Sequence, residues 1–242
     1  MIVARTLAAA VLAVALAQPA AAATAPDIVG GQPATAPWVV ALVDQNGHPF
    51  CDGTLTAPDT VTTAAHCLRG RTPDRITVVG GRPDLGQVSP GDAVSGVSGL
   101  RVPRDFVAPQ IGDDVGTLTL ADPFPFPTLP PATAAYPPGT VGTVYGYGST
   151  GQAGDPLLLR EATAPIADQA TCRDVYDRYV SGGTYRGTTM FCAGSRGSGI
   201  CTDDAGGPLV VDGTLAGIAS WNAGCGQNPD FYATVVTGSG SE

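Results

Sequence analysis

Short runs of β-forming residues, separated by turn-forming residues, constrain the fold of this chain more than any other feature. Gly, Pro, Asn and Asp stand between the runs, which cover residues 38–43, 60–64, 75–79, 115–120, 141–145, 208–211 and 215–220. After residue 25 no long apolar pattern of period 3.6 occurs. The one helix candidate covers 168–180, where Cys172, Val175, Tyr176 and Tyr179 share a face. Many short strands with turn signals predict an all-β barrel or sandwich.

A proline-rich stretch over residues 121–138 divides the β-type runs into two groups. Proline cannot donate a hydrogen bond to a sheet, so this stretch makes a poor central strand. We interpret it as a crossover between a first β unit, about residues 28–122, and a second, about residues 139–236. The Gly- and Ser-rich residues 237–242 are predicted to form a mobile tail.

The N-terminus has the features of a secretory signal peptide. Arg5 is followed by an apolar run over residues 7–17 and by small residues in a cleavage zone at 20–25. A transmembrane helix is the alternative, but the run is short for a bilayer span. We predict that residues 1–25 are removed on export and that residues 26–27 form a short propeptide. The product is then secreted, extracellular and free of the membrane.

The cysteine count and the charge both suit an exported protein. An even number of cysteines fits disulfide bonds, and their spacing alone leaves several pairings open. A zinc site is the alternative, but no Cys-x-x-Cys motif occurs and only His48 and His66 add imidazole groups. The formal charge of −9, with arginine as the only basic residue besides histidine, argues against nucleic acid or anionic membranes as partners. We expect no cofactor and no metal.

Several segments together resemble the trypsin/chymotrypsin family of serine proteases. They run in order from residue 28 to residue 232, almost all of the chain after the predicted signal. They are Ile-Val-Gly-Gly at 28–31, Thr-Ala-Ala-His-Cys at 63–67, Asp-Asp-Val-Gly-Thr-Leu at 113–118 and Cys-Thr-Asp-Asp-Ala-Gly-Gly-Pro at 201–208, with weaker matches at 159–166, 190–194 and 217–221. The resemblance implies a chymotrypsin-type domain over residues 28–242, built of two antiparallel six-stranded β-barrels.

The resemblance also implies roles in acyl transfer. A hydroxyl attacks a carbonyl only when a neighbouring imidazole takes its proton and a carboxylate orients that imidazole. His66 corresponds to the general base and Asp114 to its partner, whereas Asp113 is interpreted as a solvated neighbour. Taken alone, His66 is also compatible with an ordinary core histidine, and the surrounding Thr-Ala-Ala-His-Cys motif favours the catalytic position. The position of the nucleophilic serine holds Ala205.

Further positions follow from the resemblance. The backbone N–H groups of Asp203 and Ala205 would form the oxyanion hole, where the family has glycine in place of Asp203. After cleavage, the new ammonium group of Ile28 would pair with Asp204, although Asp27 lacks the basic side chain that trypsin needs. The disulfides implied by the resemblance are Cys51–Cys67, Cys172–Cys192 and Cys201–Cys225.

The side-chain pocket departs from the family pattern. Gly199 occupies the floor position that holds aspartate in trypsin-like enzymes, and Asp230 occupies the facing wall. Asp230 either faces the pocket, where it would bind a basic side chain, or points to solvent. Ser220 and Trp221 line the wall, and Asn222 replaces a glycine and narrows the entrance.

These features predict a secreted, monomeric protease homologue that is inactive as written and binds a polypeptide or peptide with a basic side chain. The alternative is an active trypsin-like endopeptidase, which requires that Ala205 replaces a natural serine. A structural β protein without a site is a third class, but it leaves His66 and Asp114 unexplained.

Overall fold

The computed structural model describes residues 28–88, 90–148, 157–201 and 203–236, so the predicted signal peptide, propeptide and tail lie outside the described residues. Thirteen strands and two α-helices occur within these ranges. The helices are α1 (Ala65–Leu68) and α2 (Gln169–Tyr179). The strands are β1 (Gln32–Pro33), β2 (Val39–Val43), β3 (Pro49–Ala57), β4 (Thr60–Thr63), β5 (Thr77–Gly80), β6 (Ala93–Arg101), β7 (Gly116–Leu120), β8 (Val141–Gly146), β9 (Arg160–Pro165), β10 (Met190–Ala193), β11 (Pro208–Val211), β12 (Thr214–Trp221) and β13 (Asp230–Thr234).

The first β unit is a closed antiparallel barrel of six strands in the order β2-β3-β4-β7-β6-β5. Alternation along its strands determines which side chains fill the barrel. In β7, Gly116, Leu118 and Leu120 are buried, and the two threonines between them are less so. Successive side chains of a strand point to opposite faces, so one face supplies the core. Leu118 packs there with Leu55 and Val61, both fully buried.

The second β unit is a seven-stranded antiparallel sheet in the order β1-β9-β8-β11-β12-β13-β10. Strands β8 to β13 supply six of its members. A bridge between Ile166, just after β9, and Ala193 of β10 brings the two ends of these six strands together. The short β1 is the seventh strand and pairs with β9. It belongs to this sheet although its residues precede the first barrel in sequence. The predicted all-β fold of chymotrypsin type is confirmed.

The proline-rich crossover joins the two units without contributing a strand of its own among the described residues. Phe124 and Leu129 are buried in the core cluster of the first barrel. Pro131 and Ala132 form isolated bridges with Leu215 and Val236 on the other side. The crossover therefore packs against both units, and the active-site segments meet between them.

Helix α2 begins where the sequence predicted it. The side chain of Asp168 accepts a hydrogen bond from the Thr171 N–H (2.8 Å), which satisfies one of the unpaired donors of the first turn. Cys172, Val175 and Tyr176 are buried as expected. Tyr179, which belongs to the same face by periodicity, lies in the last turn and is 47% exposed. None of the helices in the described ranges is long and apolar enough to span a membrane.

Candidate active site

Strand pairing brings His66 and Asp114 together. Strands β4 and β7 are antiparallel neighbours, and Thr63 pairs with Gly116 at one end of the ladder. His66 follows Thr63 in the short helix α1, and Asp114 precedes Gly116, so both residues leave the barrel at the same end. The His66 Nδ1 atom lies 2.7 Å from Asp114 Oδ2, and the His66 N–H donates to Asp114 Oδ1 (2.8 Å).

The Asp114 carboxylate is fully buried and accepts hydrogen bonds on both oxygens. Besides the two contacts with His66, the Ser220 hydroxyl donates to its Oδ2 atom (2.6 Å). A carboxylate next to Nδ1 makes that nitrogen the donor and leaves Nε2 free to accept a proton. His66 is partly exposed and lines the cleft. The base and its orienting carboxylate are therefore in place.

Ala205 lines the same cleft as His66. Its carbonyl accepts a hydrogen bond from the Asp52 N–H (2.8 Å), which fixes the loop against β3. The next residue must be glycine, because Gly206 has φ +91° and a Cβ there would collide with the backbone oxygen of Asp52. Ala205 and Gly206 are thus tied to β3, but the side chain that position 205 adds to the cleft is a methyl group.

Asp203 occupies a backbone conformation that favours glycine, with φ +65°. Within the described part of the chain, the N–H groups of Asp203 and Ala205 donate to no acceptor. They are the two donors that the sequence assigned to an oxyanion hole. The Asp203 side chain lines the cleft as well, and burial raises the pKa of its carboxyl above the ordinary value. A negative charge there opposes a developing oxyanion.

Asp230 lies behind the pocket wall. It is fully buried, and its carboxylate accepts from the Ile200 N–H (2.8 Å) and the Ala223 N–H (3.1 Å). Gly199 permits this position, because a Cβ on Gly199 would collide with Asp230 Oδ2. Burial raises the pKa of Asp230 to about 7, although the two backbone hydrogen bonds oppose the rise. Asp230 does not point to solvent, and a ligand reaches it only when the pocket opens.

The pocket wall is formed by Ser220, Trp221 and Asn222, which line the cleft together with Ile200. The Trp221 ring stacks on Phe231 with centroids 3.9 Å apart. The Asn222 side-chain oxygen accepts from the Gly224 N–H (3.2 Å) and the Cys225 N–H (3.3 Å), so it is held by its own loop. The cleft has a volume of about 500 Å³.

The two residues of the expected activation pair are both fully buried. Ile28 packs in the core cluster of the second sheet, and the next residue, Val29, forms a two-hydrogen-bond bridge with Gly199. Asp204 accepts from the Cys201 N–H (2.8 Å). The pairing of an Ile28 ammonium group with Asp204 remains a prediction.

The three disulfides match the pairing that the resemblance implied, namely Cys51–Cys67, Cys172–Cys192 and Cys201–Cys225. Cys51, Cys67 and His66 also form a cluster with the spacing of metal ligands, the one such group among the described residues. Because both sulfurs belong to a disulfide, they are not thiolate ligands. His48 lies in an exposed turn 3.9 Å from Asp44, as expected for a loop residue.

One residue near the site was missed by the sequence analysis. Asp52 follows Cys51 in β3 and is buried beneath the nucleophile loop, where its Oδ2 atom accepts from the Tyr147 N–H (3.0 Å). Burial raises the pKa of Asp52 well above its ordinary value, the Tyr147 bond opposes the rise, and the charge of Asp203 adds to it. An aspartate inside a strand next to a disulfide cysteine was the available signal.

Comparisons with known proteins identify the family. The family model described as Trypsin matches residues 28–237. A trypsin from Saccharopolyspora erythraea is 38% identical over 219 residues, covering 86% of this chain and 93% of that protein. Trypsin theta from Drosophila erecta is 35% identical over 222 residues (86% and 82%), and a tryptase from Mus musculus 34% over 246 residues (91% and 89%). The chain belongs to the trypsin family of serine proteases.

Proposed function

We propose that this protein is a secreted, monomeric, non-catalytic member of its family that binds polypeptides in the cleft beside His66. One observation carries the proposal: the hydrogen-bonded array of His66, Asp114 and Ser220 faces Ala205, which has no oxygen to activate. A general base without a nucleophile cannot form an acyl-enzyme. The cleft, by contrast, keeps its walls and the hydrogen bond that ties Ala205 to β3, so a surface for a bound peptide remains.

The loss of activity is expected to be nearly complete. Removing the nucleophile from such an array lowers kcat by about 10⁶-fold, and the rate that survives comes from binding and from the oxyanion hole. Here the hole carries the Asp203 side chain, which disfavours the oxyanion. Ala205 therefore removes the rate that depends on the nucleophile, and Asp203 lowers the residual rate that depends on the oxyanion hole.

Secretion is supported by the predicted signal peptide and by the three disulfides, which form and persist in oxidising compartments. The relatives' family acts on peptide bonds, and we extend to this chain only the binding of a polypeptide. A basic side chain of that polypeptide would pair with Asp230, once movement of Ile200 or of the 222–225 loop uncovers the carboxylate.

The test combines a labelling experiment with a binding experiment. A fluorophosphonate probe should leave the purified mature protein unlabelled, and arginine and phenylalanine esters should not be hydrolysed above background. Benzamidine titrated by calorimetry should bind more tightly than a phenyl analogue without a charge, and Asp230→Asn should remove the difference. Labelling of any serine in the cleft would contradict the proposed inactivity. Equal affinities of the two ligands would show that Asp230 does not select a basic group.

A further inference from the structure

A second cavity lies next to the cleft, on the other side of Asp203. It has a volume of about 210 Å³, and its lining includes His48, Asp52, Tyr147, Leu157 and Asp203. Asp203 lines the cleft and this cavity alike. An extended peptide that crosses Ala205 with one side chain beside the 220–222 wall therefore has another side chain within reach of the second cavity.

The buried wall of this cavity carries an acceptor without a donor. Asp52 is 2% exposed, and its Oδ2 atom takes the Tyr147 N–H, whereas Oδ1 accepts no hydrogen bond from any described residue. A carboxylate on a side chain that is almost fully buried is costly unless a donor or a cation pairs with it. The free oxygen belongs to a residue that lines the cavity.

The second acidic residue in the lining, Asp203, favours a ligand with a positive charge. Asp52 and Asp203 line the same cavity, so two negative charges there repel each other. Burial is the main cause that raises the pKa of Asp52, and the charge of Asp203 adds to it. A cation between them removes this repulsion and donates to both. Two other titratable residues line the cavity. The His48 side chain is 77% exposed and lies near the carboxylate of Asp44 instead, and the Tyr147 hydroxyl donates to the Arg82 carbonyl (2.6 Å).

The remaining lining suits the stem of a long side chain. Leu157, Pro49 and the Tyr147 ring line the cavity beside Asp52 and offer apolar surface there. Lys and Arg side chains lay their methylene groups on such surface and keep the charged head at a polar end. A metal ion would gain nothing from the apolar part of the lining. An acidic side chain would be repelled by the carboxylates of Asp52 and Asp203.

We propose that the cavity between Asp52 and Asp203 binds a lysine or arginine side chain of the bound polypeptide, at a position separate from the pocket that Asp230 closes. The proposal rests on the proposed peptide binding and assigns a function to Asp203. Asp203, which disfavours an oxyanion in the cleft, supplies one carboxylate of a subsite for a cation.

The experiment is an arginine scan of a fluorescent nonapeptide that is otherwise neutral. Each position carries arginine or citrulline, which has the same shape without the charge, and affinities are measured by anisotropy with the mature protein. We expect one position at which arginine binds about tenfold more tightly than citrulline, the effect of one charge-assisted hydrogen bond at a partly desolvated site. This preference should fall to about twofold or less in Asp203→Asn and in Asp52→Asn.

Two further variants act as controls. Asp230→Asn should leave the preference at that position unchanged, because Asp230 belongs to the other pocket. Asp212→Asn makes the same charge change at an exposed turn and, as at Asp203, at a positive φ, which asparagine tolerates. It reports any effect of net charge alone. Asp203 is exposed, so its variant should fold, and thermal unfolding checks the buried Asp52→Asn.

The outcomes separate this inference from the proposed function. If the peptides bind but arginine and citrulline are equal at every position outside the Asp230 pocket, the subsite is wrong and peptide binding stands. A preference that survives in Asp203→Asn and Asp52→Asn would arise from the net charge and would also overturn the subsite. If none of the peptides binds at millimolar concentration, both proposals are wrong.

Discussion

At the scale of single residues, the nucleophile loop separates two kinds of loss. Ala205 removes the attacking atom and leaves the backbone as it was, because alanine adopts the same conformations as serine. Asp203 acts on the backbone donors instead, and it does so from a φ of +65° that glycine would adopt without strain. A substitution at Asp203 therefore tests the oxyanion hole, and one at Ala205 tests the nucleophile.

We predict that Ala205→Ser alone restores little esterase activity and that Ala205→Ser with Asp203→Gly restores far more. The double variant should exceed the single variant by about 10²-fold in kcat, the typical effect of one oxyanion donor. The measurement is ester hydrolysis together with fluorophosphonate labelling, with Ala205→Ser combined with His66→Ala as background. Equal rates for the single and double variants would mean that Asp203 leaves the oxyanion hole functional.

Asp230 should make the stability of the protein depend on pH. Its pKa is about 7 in the folded state and near 3.8 in the unfolded chain. Between these two values the folded state holds the proton and the unfolded state does not. The free energy of unfolding therefore falls as pH rises from about 4 to about 7, by a total on the order of 4 kcal/mol from this group.

The check is urea unfolding of the unmodified chain and of Asp230→Asn at pH 4, 6 and 8. The advantage of the unmodified chain over the variant should be largest at pH 4 and should shrink steadily toward pH 8. Asp212→Asn, at an exposed turn, should show no such trend. A difference that is constant across the three pH values would mean that Asp230 does not hold a proton in the folded protein.

At the scale of elements, the sequence predicted those strands and helices whose pattern lies within a few consecutive residues. The β-type run at 115–120 and the helix pattern at 168–180 are local, and strand β7 and helix α2 were found there. Strand β3 was not predicted, because Pro49, Cys51 and Asp52 interrupt its β pattern. The position of β3 is set instead by its pairing with β2 and β4. Periodicity places Tyr179 on the same helix face as Tyr176, but it does not tell how far the neighbouring elements cover the last turn, where Tyr179 is exposed.

The candidate site shows the same division. His66, Asp114 and Ala205 stand in motifs, so the resemblance identified them before their contacts were known. The burial of Asp230 and the cavity beside Asp52 depend on residues far apart in sequence: Asp230 accepts from Ile200 and Ala223, and Asp52 from Tyr147. No local pattern encodes such contacts, so a sequence without its fold does not reveal them.

The Cys172–Cys192 disulfide should be the main support of helix α2. It links the first turns of the helix to β10 across 20 residues of sequence, and its cysteines are fully buried. Replacing both cysteines by serine should lower the free energy of unfolding by about 3 kcal/mol. Urea unfolding measures the loss, and hydrogen exchange should show that the amides of α2 lose protection first. Unchanged protection in α2 would show that packing alone holds the helix.

At the scale of the whole molecule, the segment that begins at Ile28 connects the pocket to the second sheet. Val29 donates to the Gly199 carbonyl (2.9 Å) and accepts from the Gly199 N–H (3.2 Å), and β1 pairs with β9 a few residues later. Gly199 in turn lies against Asp230. The position of the segment at Ile28 and Val29 is therefore coupled, through direct contacts, to the wall of the pocket.

This coupling predicts that cleavage before Ile28 strengthens ligand binding. The new ammonium group would enter the protein with Ile28, which is fully buried, and pair with the buried Asp204 carboxylate. A protein released at Ile28 should bind the fluorescent peptide at least about tenfold more tightly than one that retains Pro26 and Asp27, because a buried ion pair holds the loop only in the cleaved form. Asp204→Asn should remove the gain in affinity in the cleaved protein and change little in the uncleaved one.

Mass spectrometry of the secreted protein identifies its natural N-terminal residue. Trypsin should not produce an N-terminus at Ile28, since Asp27 has no basic side chain. A stable mature N-terminus at Ala23 or Pro26, or equal affinities of the two forms, would mean that the loop keeps its uncleaved state permanently.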